Sequence, residues 1–264
     1  MVEQFRRSKR KRGQTLLGNH QKCWIWGRNV VVETLLAAKW PVLELYLADR
    51  LPTDQLERAR QLSAAAQTPL FVEPSEALTR RCRSAEHQGY LAKMPPYPFD
   101  DVDALLGKRP KCPLYVILDS IQDPHNFGAI VRSSEVMDVD AIFIGRNRQV
   151  EVTSQVARSS AGAVNHIQIA KVADLADLAR ILGDRDVQIV GANEKAETKV
   201  FDYNFRLPTA IVIGNEADGI QNRLLQLCDQ QVRIPQCGQV GSLNAAVSAG
   251  ILLYEASRQR MQSS

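Results

Sequence analysis

Residues 115–132 read YVILDSIQDPHNFGAIVR, a strand signal followed at once by a helix signal. Tyr115–Asp119 (YVILD) is a short apolar run. Asp123-Pro124 then turns the chain, and Asn126 is a natural N-cap for a helix over 126–138 that carries Arg132. The same rhythm continues downstream. Apolar runs AIFIG (141–145), HIQIA (166–170), VQIVG (187–191), AIVIG (210–214) and QVRIP (231–235) alternate with helical stretches at 153–163, 174–183, 220–228 and 242–260. Short apolar runs between helices predict an α/β fold, with a parallel sheet covered on both faces. Ligands of such sheets sit beyond the C-terminal strand ends, so the segments after YVILD, AIVIG and QVRIP are where chemistry is expected.

Upstream the chain divides into three further zones. Residues 1–20 read as a basic flexible tail. The first twelve (MVEQFRRSKRKR) hold six Arg/Lys and one Glu, so of a formal net charge of +4 the tail contributes +5. The other 252 residues are close to neutral, which makes the tail, not the body, the candidate for electrostatic capture of a phosphate backbone. Residues 21–93 form a small α/β unit. Arg28–Lys39 has helical spacing and VLELYLA (42–48) alternates like a strand. Thr53 stands at the N-cap position of a helix over 53–67, and short strands are expected at 69–72 and 88–93. Residues 94–113 carry Pro95, Pro96, Pro98, Pro110 and Pro113 and read as a Pro-rich linker, with one short helix near 101–107. The last zone is 114–264.

Average length and composition (264 residues, 45% hydrophobic, 23% charged) exclude collagen-like, disordered and disulfide-scaffold classes. The longest nearly apolar stretch, Ala245–Tyr254, is too short for a bilayer. Five scattered cysteines without a CxxC pair read as reduced thiols in a cytoplasmic protein. An organelle transit peptide has the tail's arginines in its favour and its lack of amphipathic periodicity against it. His20, His87, His125 and His166 show no metal spacing, and no metal is expected. The chain has no GxGxxG after a strand, no GxxxxGK[ST], no HExxH and no GxSxG. A small-molecule oxidoreductase would need the first of these where this chain has Asp-Pro-His-Asn.

Three segments remain: Asn126-Phe127-Gly128-Ala129-Ile130-Val131-Arg132, then Ile213-Gly214-Asn215-Glu216-Ala217-Asp218-Gly219, then Ile234-Pro235 followed by Gly241-Ser242-Leu243-Asn244-Ala245. Each alone has an ordinary explanation: a surface pair of Arg132 with Glu135, a glycine turn, a helix cap. The last opens a helix whose apolar stripe is expected to run Leu243, Val247, Ile251 and Tyr254. Together and in this order they resemble the three motifs of the SpoU family, RNA 2′-O-ribose methyltransferases of the SPOUT superfamily. The resemblance covers roughly 114–260. Ile25-Trp26-Gly27-Arg28-Asn29 and Glu86-His87-Gln88-Gly89 are similar to the ribosomal-protein-like RNA-binding domain that precedes many members. Two positions depart from the pattern: Asp138 where a glycine is usual, and Gln236 where an apolar residue is common.

The resemblance implies a C-terminal domain tied in a deep trefoil knot, a homodimer formed through that domain, and S-adenosyl-L-methionine as cofactor. Ala192, Asn193, Ile213, Gly214, Ile234 and Leu243 would bind the cofactor. Asn126, Arg132, Glu216, Ser242 and Asn244 match the family's polar active-site set. The substrate implied is structured RNA, most closely a large-subunit (23S-type) ribosomal RNA guanosine. Transfer RNA is the alternative substrate, and a non-catalytic RNA-binding protein the alternative class. A degenerate binder would have lost part of the polar set, and this chain keeps all five residues.

Overall fold

The computed structural model describes residues 24–108, 110–239 and 241–262, so the basic tail expected at 1–20 lies outside the described residues. The small unit is built from β1 (Trp24–Trp26), α1 (Arg28–Ala37), β2 (Glu44–Ala48), α2 (Thr53–Ala65), β3 (Leu70–Glu73), α3 (Ser75–Cys82) and β4 (Tyr90–Lys93). Its sheet runs β1-β4-β2-β3, antiparallel except for β2 and β3. Thr53 does not cap α2. Pro52 takes that place without a side-chain cap and Thr53 opens the first turn, because the Pro52 carbonyl already accepts from the N–H groups of Gln55 and Leu56 at 3.0 Å. The sequence carries little signal for α3, which is only eight residues long and buries just Leu78 and Cys82.

The proline-rich segment 94–113 does not hang loose. Met94 and Tyr97 are buried, Trp40 Nε1 donates to the Pro95 carbonyl (3.0 Å), and the Tyr97 hydroxyl donates to the Val164 carbonyl (2.6 Å). Within it, α4 (Val102–Gly107) is capped by Asp101, which accepts from the Ala104 N–H. Lys39 reaches across to Asp100 and the Ile167 carbonyl at 2.8 and 2.7 Å, and Asn165 Nδ2 donates to Thr34 Oγ1. One apolar cluster runs from Ile25, Val31 and Trp40 into Phe127, Val156 and Val164, so the two units share a core at their seam.

The larger unit comprises β5 (Leu114–Asp119), α5 (Pro124–Val136), β6 (Ala141–Gly145), α6 (Ser154–Ser159), β7 (Ile169–Val172), α7 (Leu175–Gly183), β8 (Gln188–Ala192), β9 (Thr198–Lys199), β10 (Thr209–Gly214), α8 (Asn222–Leu225), β11 (Gln230–Arg233) and α9 (Ala245–Met261). The seven strands are all parallel, in the order β7-β6-β5-β10-β8-β11-β9. The unbroken apolar runs follow from burial on two sides. Leu114, Val116 and Leu118 pack with Phe127 and Ile130 of α5 and Leu252 of α9, while Tyr115 and Ile117 pack with Leu178 of α7 and Leu224 of α8. The helix expected over 220–228 shrinks to the single turn of α8, and that expected over 153–163 ends at Ser159 before a 3₁₀ turn.

Two further expectations are corrected. α5 begins earlier than Asn126: Asp123 is its cap, accepting from the His125 N–H, and Pro124 occupies the first turn where its missing N–H costs nothing. On α9 the buried stripe is Ala245, Ala249, Leu252, Leu253 and Ala256, whereas Val247, Ile251 and Tyr254 lie on its exposed side and Leu243 falls before the helix. The helix is apolar on both sides, so period alone could not say which side met the sheet. Asp138 holds φ +56 just after α5, a left-handed position that explains why glycine is common there.

Candidate active site

Three loops converge beyond the C-terminal ends of β5, β10 and β11. Asn244 caps α9: its Oδ1 accepts from the N–H groups of Ala246 and Val247 at 2.9 and 3.3 Å. That capping fixes the polarity of everything beyond it. With its oxygen engaged, Asn244 presents Nδ2, which donates to Asn126 Oδ1 at 3.0 Å. Asn126 must therefore turn its own Nδ2 outward, and this donates to Glu216 Oε1. One residue from each segment thus joins a single hydrogen-bonded chain, Asn244 to Asn126 to Glu216, ending on a carboxylate that can only accept.

Glu216 is held by the backbone around it. The chain doubles back so that Asn215 and Gly219 exchange both backbone hydrogen bonds, at 3.1 and 2.9 Å. Gly214 is obligatory here, because a Cβ would lie 2.2 Å from the Gly219 carbonyl carbon. Asn215 Nδ2 donates to the Ser120 carbonyl (2.9 Å) and its Oδ1 accepts from Ala217 N–H (2.7 Å). On the far side of the loop, Gln221 donates from its backbone N–H to Asp119 Oδ2 (2.7 Å) and from Nε2 to Asp119 Oδ1 (2.6 Å). Asp119 is 1% exposed. Asp119, Ser120, Asn215 and Gln221 therefore latch the Glu216 loop to the β5–α5 loop. The sequence offered a signal for the first three, which sit beside the strand ends, and none for Gln221.

Next to this chain opens a cavity of about 540 Å³. Ala192, Asn193, Ile213, Gly214, Ile234 and Leu243 all line it, as do Glu216 and Ser242. Asn126, Asn244 and Arg132 are not among its lining residues. Asn193 is fixed by its N–H on the Val232 carbonyl and Nδ2 on Gln231 Oε1. Behind the wall formed by Ile220 and Leu225, Cys228 packs against Gly191, and burial pushes its thiol pKa up to about 12. It is an inert neutral thiol, not a nucleophile.

Arg132 stands apart. It lies six residues beyond Asn126 on α5, hence on another face and about 9 Å further along. It is exposed and, among the described residues, has no hydrogen bond or ion pair, so the surface pair with Glu135 does not form. α5 packs on α9 beside it, with Ser133 facing Gly250. Ser242 likewise stays outside the hydrogen-bonded chain.

Comparison with known proteins decides the family. Residues 113–254 match the model of the SpoU rRNA methylase family, and residues 24–100 that of the RNA 2′-O ribose methyltransferase substrate-binding domain. The chain belongs to the SpoU family of RNA 2′-O-ribose methyltransferases. Among its relatives, the putative TrmH family tRNA/rRNA methyltransferase YacO of Bacillus subtilis is 31% identical, over 92% of this chain and 98% of that protein. An uncharacterized tRNA/rRNA methyltransferase of Mycobacterium leprae is 35% identical over 89% of this chain and 77% of its own length. Among solved structures, the SpoU methyltransferase AviRb from Streptomyces viridochromogenes, in complex with the cofactor AdoMet, superposes with a TM-score of 0.78 at 27% identity, covering 90% of each chain. Among the described residues of this SpoU protein, no helix is long and apolar enough to cross a membrane.

Proposed function

We propose that this chain methylates a ribose 2′-hydroxyl of structured RNA using S-adenosylmethionine, with a guanosine of large-subunit (23S-type) ribosomal RNA as the acceptor. The observation that carries this reading is the Asn244–Asn126–Glu216 chain beside a cavity whose lining includes all six residues assigned to the cofactor. The group fits: all six residues line one cavity, Asn193 supplies fixed polar atoms, and Ile213, Ile234 and Leu243 supply apolar surface beside them. Bound there, S-adenosylmethionine supplies an electrophilic methyl group.

The residues of the chain do the rest. Glu216 Oε1 is taken by Asn126, which leaves Oε2 to accept the hydrogen of the ribose hydroxyl and orient it. Asn244 and Ser242 position the sugar, so that the hydroxyl is held in line instead of searching for its partner. Arg132 acts as a clamp on a phosphate and on the developing alkoxide, not as a base. A guanidinium does not give up its proton near neutral pH, so what it offers is a fixed charge and a fork of donors.

Homodimerisation belongs to the same reading. Val247, Ile251 and Tyr254 of α9 and Val136 of α5 are apolar and exposed, up to 66% at Val136, and a second copy would cover them. Arg132 shares the exposed side of α5 with Val136, so it serves the other copy's polar chain across that interface. The deep trefoil knot is part of the proposal as well, supported by a sheet in which β10 inserts between β5 and β8. The separate substrate-binding unit supports ribosomal over transfer RNA, since it offers a second recognition surface. Labelled methyl transfer to unmodified ribosomal and transfer RNA tests the reading. It expects label in one alkali-resistant dinucleotide of ribosomal RNA. Label confined to transfer RNA would correct the substrate, and label on a base would overturn the reaction.

A further inference from the structure

α6 bridges the two units. Both its ends meet the N-terminal turn of α5, where the Gln155 amide nitrogen lies 2.7 Å from His125 Nε2 and Ser159 Oγ donates to the Pro124 carbonyl. The two helices approach so closely that a Cβ on Gly128 would fall 1.8 Å from Ser159 Oγ. On its other flank, Arg158 pairs with Glu86 of the small unit at 2.6 Å, and its guanidinium stands over the Trp26 ring at 5.3 Å. Next along the small unit comes Gln88, whose Oε1 accepts from the Arg28 N–H at 2.9 Å. The Arg28 side chain is exposed and unpaired among the described residues. Arg50 and Arg83, also exposed, flank the same end of the small sheet, where Leu51 packs on Gly89. A polar ridge thus leads from Asn126 through His125, Gln155, Arg158, Glu86 and Gln88 to Arg28.

We infer that this ridge carries the RNA strand leading into the active site, with Arg158 and Arg28 each neutralising a backbone phosphate. The inference rests on the RNA methyltransferase reading above and assigns a surface to it. Arg158 suits the task because its stack on Trp26 and its pair with Glu86 already hold the guanidinium fork in place. A phosphate replacing Glu86 exchanges one oxyanion for another and spares the cost of ordering a free side chain. Arg28 opens α1 beside Gly27, Gln88 and Gly89, all at positive φ (+104, +51 and +79). Lys39–Asp100 and Tyr97–Val164 lock the units together, so the span from Arg28 to Asn126 is set by the fold. The ridge then acts as a ruler between the RNA element gripped by the small unit and the ribose that is methylated.

The test measures binding of an unmodified, protein-free 23S-type ribosomal RNA transcript across a KCl series. Wild type is compared with Arg28→Gln, Arg158→Gln, Glu86→Gln and, as a remote control, Arg180→Gln on α7. Every phosphate deprived of its arginine lowers the slope of log affinity against log salt by about 0.7 to 0.9. The expected result is a decrease of that size for Arg28→Gln and for Arg158→Gln, and none for Arg180→Gln. Glu86→Gln removes the same ion pair as Arg158→Gln but keeps the arginine, so it should keep the wild-type slope and bind at least as tightly. Unchanged slopes in both arginine variants, with wild type still methylating the transcript, would overturn the ridge alone. Equal decreases in Glu86→Gln and Arg158→Gln would also overturn it, by making the pair a structural strut. A wild type that neither binds nor methylates any RNA would sink the underlying reading and the ridge with it.

Discussion

The two sides of α5 are built on opposite terms. Asn126 is locked into a hydrogen-bonded chain that begins at a helix cap and ends on Glu216, so within one molecule that side is satisfied. Arg132 has no partner among the described residues and lies on a side shared with exposed Val136, next to the exposed apolar row of α9. An unpaired guanidinium beside apolar surface is an unfinished arrangement. On the proposed reading, the part of the site which orients a hydroxyl is complete in one chain, whereas the part which handles phosphate charge awaits RNA and a second copy.

The sharpest way to break this contrast is Asn126→Ala, which cuts the chain in the middle. Methyl transfer should fall by about 10²–10³ while cofactor affinity holds, as seen when a preorganised polar group is removed from a reacting centre. Single-turnover kinetics with equilibrium cofactor titration measures both, and an unchanged rate would remove Asn126 from the site. Next in size is Asp119→Ala. It strands the Gln221 N–H and leaves its Nε2 only Ser120 Oγ at 3.1 Å, so denaturant unfolding should show a loss of about 2–3 kcal/mol. Wild-type stability would mean that the latch is idle.

On the other side, Val247→Glu with Ile251→Glu places charge on the exposed row of α9. Sedimentation should show monomers, with methyl transfer reduced as far as in Arg132→Ala. Full activity in a monomer would show that the arginine serves its own chain. Arg132→Lys keeps the charge but loses the fork, and is expected to lose about tenfold. The smallest effect involves His87 of the small unit. Nδ1 accepts from the Gly89 N–H, so Nε2 carries the hydrogen and donates to Thr79 Oγ1 (3.1 Å). Burial lowers its pKa below 6.5. The unfolded chain then binds the proton first, so stability is full above about pH 6.5 and is lost as pH falls below it. The fall in Tm between pH 7.5 and 5.5 should shrink in His87→Gln, and an equal fall in both proteins would refute this.

Much of this is legible in the residues because parallel strands buried on both faces announce themselves. Val116, Ile117 and Leu118 form an unbroken apolar run, and the loops after such strands tell where to look. Asn126, Glu216 and Asn244 stand out as motif positions, but their order in one hydrogen-bonded chain depends on which amide atom Asn244 spends on its cap. That is a matter of local geometry. The orientation of α9 is not legible, because Val247, Ile251 and Tyr254 are as apolar as Ala249, Leu252 and Leu253. Sequence periodicity reports that two rows exist and not which neighbour each one meets. The seam is hidden for a related reason: prolines at 95, 96 and 98 exclude regular structure, yet Tyr97 between them is a core residue.

Mixing two inactive proteins tests the two-sided account of α5 most directly. Asn126→Ala keeps Arg132, and Arg132→Ala keeps the hydrogen-bonded chain. If the arginine acts across a two-fold interface, mixed dimers regain one intact site, and the mixture should recover about a quarter of wild-type methyl transfer, given random exchange of one copy each. A mixture as inactive as its components, although subunit exchange is demonstrated, would place Arg132 with the cluster of its own chain and contradict the account.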